Sequence, residues 1–254
     1  MFRVISAAAM LLCMAHAPNQ ASAAEITLLS PGAVASSLRE LIPQFEQTSG
    51  HKVTVGYSPA LALVDKLKKG EIADVALVGS SAADELMTIG KFTAGSKVVI
   101  ARVGVGVFVR RGDPKPDISS RDAFVRSVMN AKIISYSDPK LGGTAANYVG
   151  RLMESLDITG SIGPKTKLTP PSKPLADFVA SGGADFGLNQ ITEILQDPRL
   201  ELVGPLPAEI QFYTEYAAGV MTASKHQDVG KALIAFLATP AASAVMKSKG
   251  FTQF

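Results

Sequence analysis

The 254-residue chain has no tryptophan, one cysteine and three histidines. Each shortage removes a class of chemistry. Cys13 lies in an apolar N-terminal run, so the rest of the chain offers no disulfide, no thiol nucleophile and no thiolate metal site. His16 shares that run, His51 follows "TSG" at a helix-to-strand turn, and His226 sits in the polar "SKHQD" turn. The last two read as exposed, and no HExxH or similar metal spacing occurs. There is no GxSxG elbow, no Walker A loop and no GxGxxG opening a helix; the glycines of "GVGVFV" fall inside a strand. The carboxylates of "ADEL" and "TEI", Glu193 among them, fall on helical stretches and read as solvated faces. The expectation is a protein that is not an enzyme and needs neither cofactor nor metal. Charge is also sparse. Charged residues make up 19%, with 25 Lys and Arg against 22 Asp and Glu. Setting aside Arg3 leaves 24 against 22, a net +2, too mild a balance for a nucleic-acid partner. No run beyond the N-terminus is long and apolar enough to span a bilayer.

What is present begins with "MFRVISAAAMLLCMAHAPNQASAAE": one basic residue, an apolar run from Val4 to Ala17, and a small-x-small "ASA". This reads as a secretory signal peptide over residues 1–24, cut near Ala23 or Ala24. Leu12 precedes Cys13 where a lipoprotein signal carries a small residue, which favours plain cleavage. The expected product is an exported, periplasmic, monomeric protein. With 47% apolar residues it can build a large core.

From Glu25 short β runs alternate with helical periods. "EITLL", "HKVTVGY" and "ADVALV" read as strands. Val34, Leu38, Leu41, Ile42 and Phe45 mark a helix face that Pro43 should bend, and Leu61, Val64 and Leu67 mark a second face. The long β-rich run "KVVIARVGVGVFVRR" breaks the rhythm, and a crossing between domains is expected near Val103 to Gly106. Beyond it the style repeats: a helix capped by Ser119 or Ser120, the strand "AKIISY", the helix "TAANYVGRLMESL", the helix "KPLADFVASGG" and the strand "ADFGLN". Strand–helix alternation implies α/β lobes with mixed sheets and ligands at strand carboxyl ends. The assignment is residues 25–104 plus 214–254 for one lobe and 105–213 for the other, joined by a two-strand hinge. "LGGTAANY" has an anion cradle's ingredients: a glycine turn, then a helix start with Thr144 as N-cap and Asn147 in the capping-box place.

Several segments together resemble the type II periplasmic solute-binding proteins of ABC transporters. These are "SSLRELIPQFEQTSGHKVTV", "LVDKLKKGEIADVALVGSSAADELM", "SDPKLGGTAANYVGRLMESLDI", "FVASGGADFGLNQITEI" and "KALIAFLATPAASAVMKSKGF". Within that superfamily the chain looks most like the molybdate-binding proteins. The resemblance implies a small oxyanion held between two Rossmann-like lobes by hydroxyls and backbone N–H groups, hinge closure, and an ABC permease as partner. It places the ligand contacts at Ser30, Gly32, Ala33, Ser58, Gly143, Thr144, Ser172, Asn189 and Gln190. Three positions depart from the pattern: Ala33 and Ala60 stand where the family has serines, and Gln190 where it has a tyrosine. Structural alternatives exist for several. Ser30-Pro31-Gly32 is also a plain strand-to-helix turn, Ser58 a cap for the helix at Leu61, Ser172 a cap for the helix entered through Pro174, and Gln190 a solvent-facing side chain. The departures leave open a small organic anion or polar metabolite, or a sensor or enzyme built on the same fold.

Overall fold

The strand β1 (Glu25–Ser30) buries Ile26, Leu28 and Ser30 and pairs in parallel with β2 (Lys52–Tyr57) and β3 (Val75–Gly79). A 3-10 turn at Gly32–Val34 leads into α1 (Ala35–Ser49), and α2 (Ala60–Lys68) and α3 (Ser80–Thr88) follow β2 and β3. The computed structural model describes residues 23–141, 143–170 and 174–252. Residues 1–22 of the expected signal peptide, and Ser172, lie outside the described residues.

The next strand, β4 (Val98–Arg110), is the spine of the molecule. Beyond it come α4 (Arg121–Asn130), β5 (Ile134–Ser137), α5 (Thr144–Ser155), α6 (Thr159–Ile162), β6 (Thr166–Thr169), α7 (Leu175–Ala180), β7 (Phe186–Gln190), α8 (Ile191–Ile194) and β8 (Leu200–Pro205). The chain closes with β9 (Tyr213–Val220), α9 (Gln227–Leu237) and α10 (Pro240–Ser248). The strand order is β2-β1-β3-β9-β4-β7-β5-β6, with β8 also on β4. Residues Val98 to Gly104 of β4 pair antiparallel with β9, while Val105 to Arg110 pair with β7 and β8. One strand therefore serves both halves of a two-lobed α/β fold.

Each half has its own core. On one side Ile26, Leu38, Leu41, Phe45, Leu77, Leu233 and Leu237 pack together; on the other Val107, Phe124, Val149, Phe186 and Leu188 do so. Pro43 is accommodated within α1 rather than ending it. Two expectations need correction, and one left between two residues is decided. The buried residues of α2 are Leu63 and Leu67, and Leu61 is 49% exposed, because Leu61 lies in the first turn, on the side away from the sheet. The N-cap of α5 is Gly143, and Thr144 is already helical, so its hydroxyl does not cap. Ser120, not Ser119, caps α4, accepting from the Ala123 N–H at 3.2 Å.

The Gln211 side chain ties down the return crossing, residues 206–212. The Gln211 Oε1 accepts from the Val105 N–H at 2.9 Å, and its Nε2 donates to the Val105 carbonyl at 3.0 Å and the Leu206 carbonyl at 3.3 Å. Gly104 permits this approach, since a Cβ there would lie 3.1 Å from the amide nitrogen. Tyr148 on α5 adds a hydroxyl bond to the Ile210 carbonyl at 2.6 Å and stacks on Phe212. Val105 keeps backbone bonds to Phe212 and Leu206, but Gln211→Ala removes the side-chain partner of the Phe212 N–H and of the Leu206 carbonyl and should lower stability by about 1–3 kcal/mol. Urea unfolding measures it; an unchanged midpoint would show that solvent replaces the amide at no cost.

Candidate functional site

The carboxyl ends of β1, β2, β5 and β7 open on one cleft, where α/β sheets place ligands. It contains a cavity of about 760 Å³ lined by Gly32, Ala33, Tyr57, Ser58, Ser137, Gly143, Thr144, Asn189, Gln190, Glu193 and Tyr216, together with Pro31, Pro59, Ala60, Ala145, Ala146 and Pro174. A neighbouring cavity of about 730 Å³ shares Gly32, Ser137, Pro174, Asn189 and Glu193 and reaches Asp197 and Arg199.

Five helical segments begin at this cleft. Their N-cap residues are Pro31, Pro59, Gly143, Pro174 and Gln190, and none accepts a first-turn N–H through its side chain. Three of the five are proline and one glycine, residues with no side-chain acceptor. The first N–H groups of a helix have no partner within it and carry the positive end of its dipole. Elsewhere Ser120 and Thr239 supply side-chain caps to α4 and α10. Helices α6 and α9 lack such caps too, so the missing cap is not itself the signal. The signal is that five such starts converge, a donor-rich rim suited to an anion. No Lys, Arg or His lines the larger cavity among the described residues. The Lys66 Nζ comes only to the rim, 3.5 Å from the Ser58 hydroxyl.

Seven of the nine residues expected at the ligand line this cavity: Gly32, Ala33, Ser58, Gly143, Thr144, Asn189 and Gln190. Ser30 does not. It is fully buried, its hydroxyl donates to the Pro31 carbonyl at 3.1 Å, and its own carbonyl accepts from the Ser58 N–H at 3.1 Å. It thus supports the loop that carries Ser58. The Gln190 side chain is buried rather than solvent-facing and is shared between two partners. Its Oε1 accepts from the Tyr216 hydroxyl at 2.9 Å and its Nε2 donates to the Thr214 hydroxyl at 3.0 Å, bracing β7 against β9. His51 and His226 line neither cavity, and the His51 Nδ1 accepts from the Ala24 N–H at 3.2 Å.

The reading of Glu193 as a solvated carboxylate needs correction. It stands in the single turn of α8, lines both cavities, and burial pushes its carboxyl above the usual range, with the Asn189 amide partly opposing. Among the described residues no cation pairs with it. Arg199, across the second cavity, is committed to Asp197 and Asp177, each at 2.6 Å. Burial, and then the Glu193 charge, push the Tyr216 phenol far up, so it remains a donor. Tyr57, Ser137, Glu193 and Tyr216 were missed from the sequence. Strand ends followed by helix starts could have flagged Tyr57 and Ser137; nothing local marks Glu193.

The chain matches the family model described as bacterial extracellular solute-binding protein over residues 26–252. It is 30% identical over 231 residues to a Pseudomonas protein named aconitate isomerase, covering 89% of this chain and 86% of that one. It is 25% identical over 236 residues to the molybdate-binding protein ModA of Azotobacter vinelandii, covering 91% of each. Among solved structures, an Azotobacter vinelandii periplasmic molybdate-binding protein superposes with a TM-score of 0.74 at 16% identity, over 90% of this chain and 99% of that chain, which shows the shared fold. The chain belongs to the bacterial extracellular solute-binding protein family, whose members serve ABC transporters.

Proposed function

We propose that the protein is an exported solute-binding protein whose cleft takes a small organic polycarboxylate and delivers it to an ABC permease. The observation that carries this reading is Glu193: a carboxyl group in a cleft otherwise built for anions, with no cation beside it among the described residues. A fully deprotonated tetrahedral oxyanion offers only acceptors and gains nothing from a carboxylate. A polycarboxylic acid offers carboxylates for the helix starts plus C–H, hydroxyl or protonated carboxyl groups for Glu193 and Asn189. The cavity of about 760 Å³ also falls in the range of small-molecule sites, roughly 300–1,000 Å³, and dwarfs a five-atom ion. The relative named aconitate isomerase supports a tricarboxylate. The lobes that close would be residues 25–104 with 214–254 and residues 105–213, turning about the β4 crossing, with ligand shifting the population to the closed form. The contacts would come from the N–H groups at Gly32, Ala33, Ala60, Gly143 and Thr144 with Ser58, Asn189 and Ser172.

Two further readings of the same cleft have a specific observation each. The cation-free lining and the ModA relative favour a molybdate-like oxyanion. The aconitate isomerase relative favours catalysis on the bound acid. Calorimetric titration of the mature protein with trans-aconitate, cis-aconitate, molybdate and sulfate separates the ligand classes. The expected result is saturable heat from a tricarboxylate and none from either oxyanion; heat from molybdate alone overturns the polycarboxylate reading.

Glu193 also sets the pH dependence. A bound anion raises its pKa further, so the complex holds more protons than the free protein, and affinity rises as pH falls through that range. E193Q should bind like the wild type near pH 5 and more tightly near pH 8, by about tenfold for each unit the ligand adds to the Glu193 pKa. A pH dependence of binding that E193Q leaves intact would contradict this.

The same raised pKa governs folding. Because the folded-state value lies above the unfolded one, the stability this group contributes is present at low pH and lost as pH rises through the folded value. E193Q should therefore raise the Tm more at pH 8 than at pH 5, as thermal melts at both pH values would show.

A further inference from the structure

We infer that the bound polycarboxylate carries an apolar arm, a short alkyl chain or a single ring, seated in a side cavity between α2 and α3. The inference rests on the polycarboxylate reading and narrows the class of acid.

The side cavity, of about 330 Å³, opens off the cleft. Pro31, Ala60 and Thr144 line both it and the larger cavity, so the two meet at the starts of α2 and α5. Beyond that junction the walls are Leu61, Leu63 and Val64 from α2, Val78 from β3 and Ala82 from α3. The charged residues there, Lys68 and Glu85, are taken up by each other at 2.6 Å. The remaining polar side chains among the described residues are Ser81 and Thr144.

The other cavity beside the cleft has the opposite character. Glu193, Gln196, Asp197 and Arg199 line it, so an apolar group placed there would strip water from polar and charged groups. Between these two exits, the α2–α3 side is the one that favours an apolar group.

Leu61 supplies the driving force. A single exposed leucine is ordinary on a protein surface. Leu61, however, is 49% exposed on a concave wall that continues the ligand cavity. Water against that wall meets hydrocarbon and few hydrogen-bond partners, and an apolar group that displaces it gains affinity. The room is sufficient, since an apolar cavity of about 150 Å³ already holds benzene.

The junction also fixes where the arm branches. A carboxylate held by the first-turn N–H groups at Ala60 and Thr144 stands where the two cavities meet. The carbon next to that carboxylate therefore carries the arm. Ala60 presents only a methyl group there, which the arm passes without stripping water from a hydroxyl.

Calorimetric titration of the mature protein with succinate, butylsuccinate, benzylsuccinate and trans-aconitate tests this. The substituted acids should bind about 10- to 100-fold more tightly than succinate, since each buried methylene is worth roughly fourfold. Leu61→Asn makes the wall polar and Ala82→Leu fills the cavity, and each should bring that ratio down toward one. Both residues are partly or largely exposed and neither lines the larger cavity. Substituted acids that bind no more tightly than succinate, beside a trans-aconitate that binds, overturn this inference and leave the polycarboxylate reading standing. A gain that survives in both variants places the arm elsewhere and overturns it too. Heat from none of the four acids overturns both.

Discussion

The structure depends on a mismatch that is local to the cleft: five helical segments begin there without side-chain caps, and no cation lines the larger cavity among the described residues. Proline at three of these N-caps and glycine at a fourth cannot supply the missing acceptor. An anion meets the N–H groups better than water does, because it adds charge to the hydrogen bond and sits at the positive end of the dipoles. The sheet topology makes this convergence possible, since the parallel pair β1–β2 in one half and the parallel pair β5–β7 in the other deliver their carboxyl ends to the same cleft.

Two glutamines hold the lobes in relation to that cleft. Gln211 ties the return crossing to Val105, and Gln190 ties β7 to Thr214 and Tyr216 on β9. Both spend their amides on the frame. The Gln190 amide is largely used, so the other polar side chains lining the cavity are Tyr57, Ser58, Ser137, Thr144, Asn189, Glu193 and Tyr216. A carboxyl among donors is costly for an anion site unless the ligand or a proton compensates.

Much of the fold was legible because it is written in long apolar patterns. The buried runs of β1, β3 and β4, the face Leu38, Leu41 and Phe45 on α1, and the glycine turn before α5 are strong local signals. The gathering of Gly32, Ala33, Ser58, Gly143, Thr144, Asn189 and Gln190 around one cavity was reached through resemblance of segment order, not through any single motif. The misses have physical reasons. β6, "TKLT", is a four-residue edge strand with Lys167 and Leu168 exposed, too short and too polar to show a period. α8 is one turn long, so nothing in "ITEI" tells which way Glu193 points; the packing of Ile191 and Ile194 into two cores turns it toward the cleft. Thr144 looked like a cap because its type suits one, but Gly143 takes the extended cap conformation one residue earlier.

A crystal structure of the mature protein grown with trans-aconitate tests the central claim most directly. The account predicts a closed cleft, with ligand carboxylate oxygens within hydrogen-bond reach of first-turn N–H groups at Ala60 and Thr144, and the Glu193 carboxyl against the ligand's carbon chain. A ligand whose carboxylates are instead paired with lysine or arginine side chains, or one seated outside this cleft, would contradict it.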